Sequence, residues 1–420
     1  MSLYVPLWFL GLLLLRLPSS VSASRHESSQ STLQSTTITR TTTTTTTTFP
    51  HNRTHSSSSL HFVALGDWGG REWYPYTTRA QVETAHTLSH LPDLDFILAL
   101  GDNFYSHGVP DASSFRFAAT FDNVYNQPYQ QQHYNQTLPS WYVIGGNHDH
   151  YGNISAQLEY AIHHPQWIFP DTFYQQSFVL HNNNDNPKDN MTTLSLDIIF
   201  IDTVILCGLS NTTNNDDTKF DPLPLQSKAV AFVWWEWLED RLAQSTADYL
   251  LVAGHYPIFS VCQHGPTETL VQHLRPLLQH YQAHYVSGHD HCMVHQQEEI
   301  VWPSPPPSKD TPQPHPQSFD NTTTTIHYIL SGMGDECCYK ASNQNHSAYQ
   351  NNPHVKIKWF VSVENQDLYQ ATSGFTEFQA TREQLEIHYR KQDGAVLYRP
   401  DPILPRNKKI LHQNQQQQER

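Results

Sequence analysis

Five apolar stretches of this chain each end on a glycine that is followed, at once or nearly so, by residues able to hold a metal ion. They read Gly66-Asp67-Trp68-Gly69, Gly101-Asp102-Asn103-Phe104-Tyr105, Gly146-Asn147-His148-Asp149, Gly254-His255-Tyr256-Pro257 and Gly288-His289-Asp290-His291. The carboxyl ends of strands are where layered α/β sheets present ligands. A glycine there lets the backbone turn sharply, so that the next side chain projects into the crevice. Brought together, the five ends would assemble Asp67, Asp102, Tyr105, Asn147, His255, His289 and His291. These oxygen and nitrogen donors exceed the needs of one catalytic metal. With a carboxylate able to bridge, they suit two ions about 3.5–4 Å apart, the spacing of hydrolytic dinuclear centres. Each motif alone is weak, because Gly-Asp after a strand is usually a turn. His289-Asp290-His291 is stronger, since alternate residues of an extended chain point the same way. The order of all five along the chain is what makes coincidence untenable.

Positioning those ends requires strands. Strand-like apolar runs occupy 61–66, 94–101, 141–145, 195–202, 249–254 and 284–288, with helix-like stretches at 77–90, 226–244 and 266–282. Strands alternating with helices predict an α/β layered fold, with sheets buried between helices. Further runs at 325–332, 357–364, 368–375, 383–389 and 394–399 predict a meander of antiparallel strands.

The rest of the chain bounds the reading. It has 420 residues and a net charge of −15, which argues against a nucleic-acid binder. Its 27 histidines would turn that balance positive in acid. Residues 4–15 form a short apolar run, and Val21-Ser22-Ala23 has the spacing of a signal-peptidase site, so 1–23 reads as a secretory signal. Residues 24–59, with an unbroken threonine run from Thr41 to Thr48, read as a disordered, O-glycosylated stalk. The catalytic domain is expected over 60–400, a Pro-rich exposed insertion over 303–324, and a disordered tail over 401–420. Sequons at Asn52, Asn135, Asn153, Asn190, Asn211, Asn321 and Asn345 agree with secretion or an acidic secretory compartment. The five cysteines allow at most two bridges, and adjacent Cys337 and Cys338 rarely bond to each other without strain.

From about His61 to Tyr398 the chain resembles the purple acid phosphatases of the calcineurin-like metallophosphoesterase superfamily, in their small, single-domain, tartrate-resistant form. The first block, Asp67-Trp68-Gly69, lacks the Asp-x-His usual elsewhere in the superfamily. Tyr105, three residues after Asp102, stands where the purple subgroup carries its iron-binding tyrosinate. The resemblance implies a layered αββα sandwich with two mixed sheets flanked by helices. It implies Fe(III) held by Asp67, Asp102, Tyr105 and His291, and a divalent Fe, Zn or Mn held by Asn147, His255, His289 and the shared Asp102. Hard anionic oxygens for the trivalent ion, and imidazoles with one amide for the divalent ion, agree with that division. His148 and His264 stand where relatives contact phosphate or assist the leaving group, and Asp149 is expected to orient its neighbours.

The implied reaction is hydrolysis of phosphate monoesters in acid by a metal-bound hydroxide, with His148 or His264 protonating the leaving alkoxide. The alternatives are a phosphodiesterase or phosphoprotein phosphatase on the same fold, and an inactive cell-surface glycoprotein. The expected partners are small-molecule or protein phosphate esters. No nucleic-acid binding and no membrane span are expected, and the stalk could associate with a cell wall or surface. By the resemblance, Cys207 lacks its usual partner, and a Cys207–Cys262 bridge is expected. Residues 208–221 resemble the loop that covers the site in relatives, with Asp216 and Asp217 read as a solvated acidic stretch.

Overall fold

The computed structural model describes residues 44–48, 59–134, 137–181, 193–208, 225–302 and 322–406. The expected signal at 1–23, most of the stalk, and the loop residues Asp216 and Asp217 lie outside them. So do the sequons other than Asn153 and Asn345, most of the Pro-rich insertion, and the tail beyond Arg406.

In chain order the strands are β1 (Thr44–Thr48), β2 (Leu60–Leu65), β3 (Phe96–Ala99), β4 (Ser140–Val143) and β5 (Trp167–Ile168). There follow β6 (Tyr174–His181), β7 (Thr193–Phe200), β8 (Tyr249–Ala253), β9 (His284–Ser287) and β10 (Met293–Trp302). The last are β11 (Thr322–Ser331), β12 (Val355–Val361), β13 (Gly374–Ala380), β14 (Leu385–Lys391) and β15 (Val396–Tyr398). They form two mixed sheets. Sheet one runs β1-β6-β7-β8-β9-β11-β10-β12 and sheet two runs β15-β14-β13-β2-β3-β4-β5. Strands β2, β3 and β4 are mutually parallel in sheet two, as are β7, β8, β9 and β11 in sheet one.

The sheets pack face to face, and the continuous apolar runs follow from strands buried on both sides. Phe378, Phe62 and Phe96 stack across sheet two, and Phe96 stacks on Phe178 of sheet one at 4.3 Å. Leu196, Ile198 and Phe200 of β7 join this inner core. Ile199 on the same strand faces the second core, built with Trp234 and Leu238 of helix Leu225–Gln244 and Leu274 and Leu278 of helix Glu268–Tyr281. That switch is the two-residue period of a strand.

Several expectations need correction. Thr44–Thr48 is an edge strand parallel to β6, not part of a structureless stalk. Threonine is β-branched and suits an extended chain wherever a sheet edge offers backbone partners. The last residues of the expected insertion, 322–324, begin β11 and pair with 300–302 of β10. The start of the expected tail is ordered too. Ile403 pairs with Leu385, and the buried Arg406 guanidinium donates to the carbonyls of Ser245 and Ala247. The late meander is real for β13, β14 and β15, but β11 and β12 belong to sheet one on either side of β10. The strand expected at 368–375 is the short helix Gln366–Tyr369, followed by β13 from Gly374.

At the outer part of sheet two, Glu377 of β13 accepts from Arg390 at 2.6 Å and lies 2.9 Å from His61 and 3.1 Å from His388. Burial works to raise its pKa, but His388, His61 and Arg390 together hold it well below its ordinary 4.5. A depressed folded pKa contributes stability that is present above 4.5 and lost as pH falls toward the folded value. Glu377→Gln is therefore expected to cost about 3 kcal/mol at pH 7, because three partners lose a buried charge. Urea midpoints of both proteins should converge as the pH drops below 4.5. A cost that does not change between neutral and strongly acid pH would refute the electrostatic account.

Candidate metal centre

The carboxyl ends of β2, β3, β4, β8 and β9 meet at one edge of the two sheets, and each leads into a glycine-containing turn. Asp67, Asp102 and His289 all adopt left-handed backbone conformations, with φ of 58°, 52° and 75°. Non-glycine residues held there cost about 1–3 kcal/mol each and persist where the surroundings impose them, commonly at functional sites. The glycines make room. A Cβ on Gly288 would meet Asp67 Oδ2, and one on Gly101, whose φ is +91°, would meet the His255 ring. Trp68 anchors the first turn, fully buried among Phe104, Phe121, Tyr125, Trp141 and Trp167.

All seven expected donors come together, sorted into two groups. In the first, the Tyr105 hydroxyl lies 3.1 Å from Asp67 Oδ1 and 2.9 Å from His291 Nε2, and the last two atoms are 3.8 Å apart. In the second, His255 Nε2 lies 3.1 Å from Asn147 Oδ1 and 3.4 Å from Asp102 Oδ1. Donor atoms of Asp102, His255 and His289 all fall within 4.8 Å of one another. Backbone N–H groups fix the carboxylates. His289 donates to Asp67 Oδ2 at 2.7 Å, and His148 donates to Asp102 Oδ1 at 3.0 Å. The Leu100 carbonyl at 2.8 Å from His255 Nδ1 turns that ring's Nε2 toward the second group, the usual way a ligating imidazole is oriented.

The electrostatics show a site that needs cations. Burial raises Asp67 to about 7, despite His255 and His291 beside it. Burial, together with Asp67 and Asp102, pushes the Tyr105 phenol well above its ordinary value. Burial opposes the charge on His255 and His291, yet the neighbouring carboxylates raise both to about 9. Burial and four further histidines hold His289 well below its ordinary value, and its buried Nε2 has no hydrogen-bond partner. An orphaned imidazole nitrogen beside crowded buried carboxylates fits metal ions and little else.

The two other histidines flank this cluster. His148 Nδ1 lies 2.6 Å from the Ser106 carbonyl, which places the proton on Nδ1 of the neutral ring. Its Nε2 is 4.0 Å from Asp102 Oδ2, and the side chain is 23% exposed. His264 stacks on His289 with centroids 4.1 Å apart, and its backbone N–H donates to Asp290 Oδ1. Asp149 stays out of the cluster. It accepts from the Gly146 N–H and Gln157 at 2.8 Å each and from the Asn103 N–H at 3.1 Å, fixing the turns that carry Asn147 and Asp102.

Sequence reasoning missed Asp335 and Glu336. Glu336 lies 3.5 Å from His291 Nδ1, and the buried Asp335 donates its backbone N–H to the Asp67 carbonyl. They follow β11, which is parallel to β9, after Gly332-Met333-Gly334, so the same strand-then-glycine signal marks a sixth end at this edge. Arg116, which donates to the carbonyls of Tyr105 and Gly69 at 2.8 Å, carried no such signal.

The cysteines differ from expectation. Cys262 pairs with Cys292, the residue after His291, across a Cα separation of 6.7 Å, and Cys207 is free. The turn carrying Cys262 runs against the turn after β9, so its thiol meets Cys292 and not the end of helix Thr203–Cys207. That bridge joins the loops that carry His264 and His291. Cys337 and Cys338 follow Glu336 with their sulfurs side by side.

Residues 60–293 match the family model described as calcineurin-like phosphoesterase. Over 358 residues the chain is 34% identical to tartrate-resistant acid phosphatase type 5 of Rattus norvegicus, covering 84% of this chain and 92% of that protein. It is 31% identical to purple acid phosphatase 7 of Arabidopsis thaliana over 57% of this chain and 66% of that one. Among solved structures it resembles GAP50, the anchor in the inner membrane complex of Plasmodium, with a TM-score of 0.58 and 21% identity over 85% of this chain and 93% of that one, a likeness of fold. A two-sheet sandwich with five donor-bearing turns at one edge, matched along 92% of the rat relative, places this chain in the calcineurin-like phosphoesterases, within the tartrate-resistant and purple acid phosphatases, and makes it a phosphatase.

Proposed function

We propose that this phosphatase hydrolyses phosphate monoesters in acid at a dinuclear centre and acts outside the cell or in an acidic secretory compartment. The observation that carries the reading is the buried cluster of Asp102, His255 and His289 beside the Asp67, Tyr105 and His291 group, with the His289 Nε2 left unpartnered. Asp67, Tyr105, His291 and Asp102 would hold Fe(III). Asn147, His255, His289 and Asp102 would hold a divalent Fe, Zn or Mn. When bound, the two ions supply positive charge to the phosphate and acidify water as the nucleophile.

The chain's own groups do the rest. Asp102 is held by the His148 N–H with one oxygen near His255, so its position is set before any ligand arrives. His148 presents Nε2 on the open side, where a protonated ring can give its proton to the leaving alkoxide. His264, stacked on His289, is placed beside the second group to contact phosphate. Secretion rests on the apolar N-terminal run and the sequons, of which Asn153 and Asn345 are exposed. Among the described residues no helix is long and apolar enough to cross a membrane.

The test is a visible spectrum and metal analysis of one purified sample, with matched phosphate mono- and diesters as substrates. About two metals per chain including iron are expected. So are a broad charge-transfer band that disappears in Tyr105→Phe with the metals retained, and faster cleavage of the monoester. A colourless protein holding two Zn or Mn ions would overturn the iron–tyrosinate assignment, and a preferred diester would overturn the substrate class.

A further inference from the structure

At the opposite end of sheet one, a cavity of about 430 Å³ opens between β9, β10, β11, β12 and the segment 401–406. His284 begins β9, whereas His289 follows its other end, so one strand separates this cavity from the metal centre. His284 and His327 line it and are only 4% and 2% exposed.

A backbone hydrogen bond fixes the proton of His284, and a chain of contacts leads from His327 to Tyr398. His284 Nδ1 accepts the backbone N–H of His327 at 3.1 Å, so the neutral ring carries its proton on Nε2. His327 Nδ1 lies 3.2 Å from His295 Nε2, and His295 Nδ1 lies 3.4 Å from the Tyr398 hydroxyl. Where that hydroxyl donates, His295 passes its own N–H to His327 Nδ1 and the His327 proton sits on Nε2, the arrangement that presents both N–H groups to the cavity. Neither Nε2 has a hydrogen-bond partner among the described residues, and neither is sealed from solvent.

Burial keeps these rings neutral, with His327 pushed down to about 3, His295 to about 2 and His284 well below its ordinary value. The fixed charges that add to burial are cationic, Arg406 at His284 and Lys358 at His327 and His295. Arg406 is already engaged with carbonyls, but Lys358 is exposed at the cavity. The acids of the lining, Glu299 and Asp401, are both exposed at its rim. A metal ion would need a lone pair where the His284 Nε2 carries a proton. An acceptor of two N–H groups beside an ammonium is an anion.

We propose that this cavity binds a small oxyanion, a carboxylate or a phosphate, held by Nε2–H of His284 and His327 with Lys358 at the mouth. The site is separate from the hydrolytic one and does not depend on the metals. The test is titration of ¹⁵N-histidine-labelled, metal-loaded protein with acetate and, separately, with inorganic phosphate, following the side-chain nitrogens of His284 and His327. The expected result is a saturable shift of both Nε2 signals with at least one anion, and which anion does so identifies the ligand class. The exposed Lys358→Ala variant should weaken that binding by about threefold, in keeping with one partly screened charge, and His327→Phe should abolish it. No saturable shift with either anion would overturn the proposal. So would binding that Lys358→Ala and His327→Phe both leave unchanged.

Discussion

Asp102→Asn is expected to lower kcat/KM for a phosphate monoester by at least about a thousandfold, roughly 4 kcal/mol of transition-state stabilisation. Asp102 is the carboxylate proposed to be shared by the two donor groups; it lies 3.4 Å from His255, is locked by the His148 N–H and acts on the charge of Asp67. Burial would raise its pKa, but His255 and His148 hold it well below the ordinary carboxylate range, so it is charged at any acid pH at which the protein works. Asparagine keeps the shape and removes the charge, and an amide shared by two cations loses most of its hold on both. Metal analysis should show less than two ions per chain, and steady-state kinetics should show the loss in kcat as well as in KM. A variant that keeps both ions and stays within tenfold of the parent would overturn the shared-ligand role proposed for Asp102.

The site was legible because its information is local. Each donor lies within a few residues of a strand end, and a glycine announces the turn, as Gly101 does for Asp102 and Gly288 for His289. The central strands were legible for the same reason, since burial on both faces writes a continuous apolar run. What escaped depends on distant pairing. β10 reads Met-Val-His-Gln-Gln-Glu-Glu, polar for a strand, because the buried Gln296 and Glu298 find partners in Tyr349 and in Arg275 and Tyr328. Arg406 looked like the start of a tail because the carbonyls that receive it lie some 160 residues earlier. The Cys262–Cys292 bridge escaped in the same way. Nothing near Cys262 says that the turn after β9 lies against it, and the family's pairing pointed elsewhere.

His148→Ala is expected to lower kcat for an alkyl phosphate by about 10²–10⁴-fold, the usual contribution of a positioned general acid. The geometry favours His148 over His264 for this task. The Ser106 carbonyl holds its Nδ1–H, so that the proton on Nε2 is the transferable one. That nitrogen is 4.0 Å from Asp102 Oδ2, on a side chain open to solvent, where a leaving oxygen can reach it. His264 has its ring face covered by His289 and its Nδ1 buried without a partner, an arrangement suited to contacting phosphate more than to releasing a proton. The leaving group separates the two roles. A nitrophenolate departs without help, so His148→Ala should lose far less with an aryl ester than with an alkyl one, and its rate should depend more steeply on the leaving-group pKa. His264→Ala should slow both esters to a similar degree and raise KM, because uniform binding is lost. Equal losses for both esters in His148→Ala, with the steep leaving-group dependence appearing in His264→Ala, would exchange the two assignments.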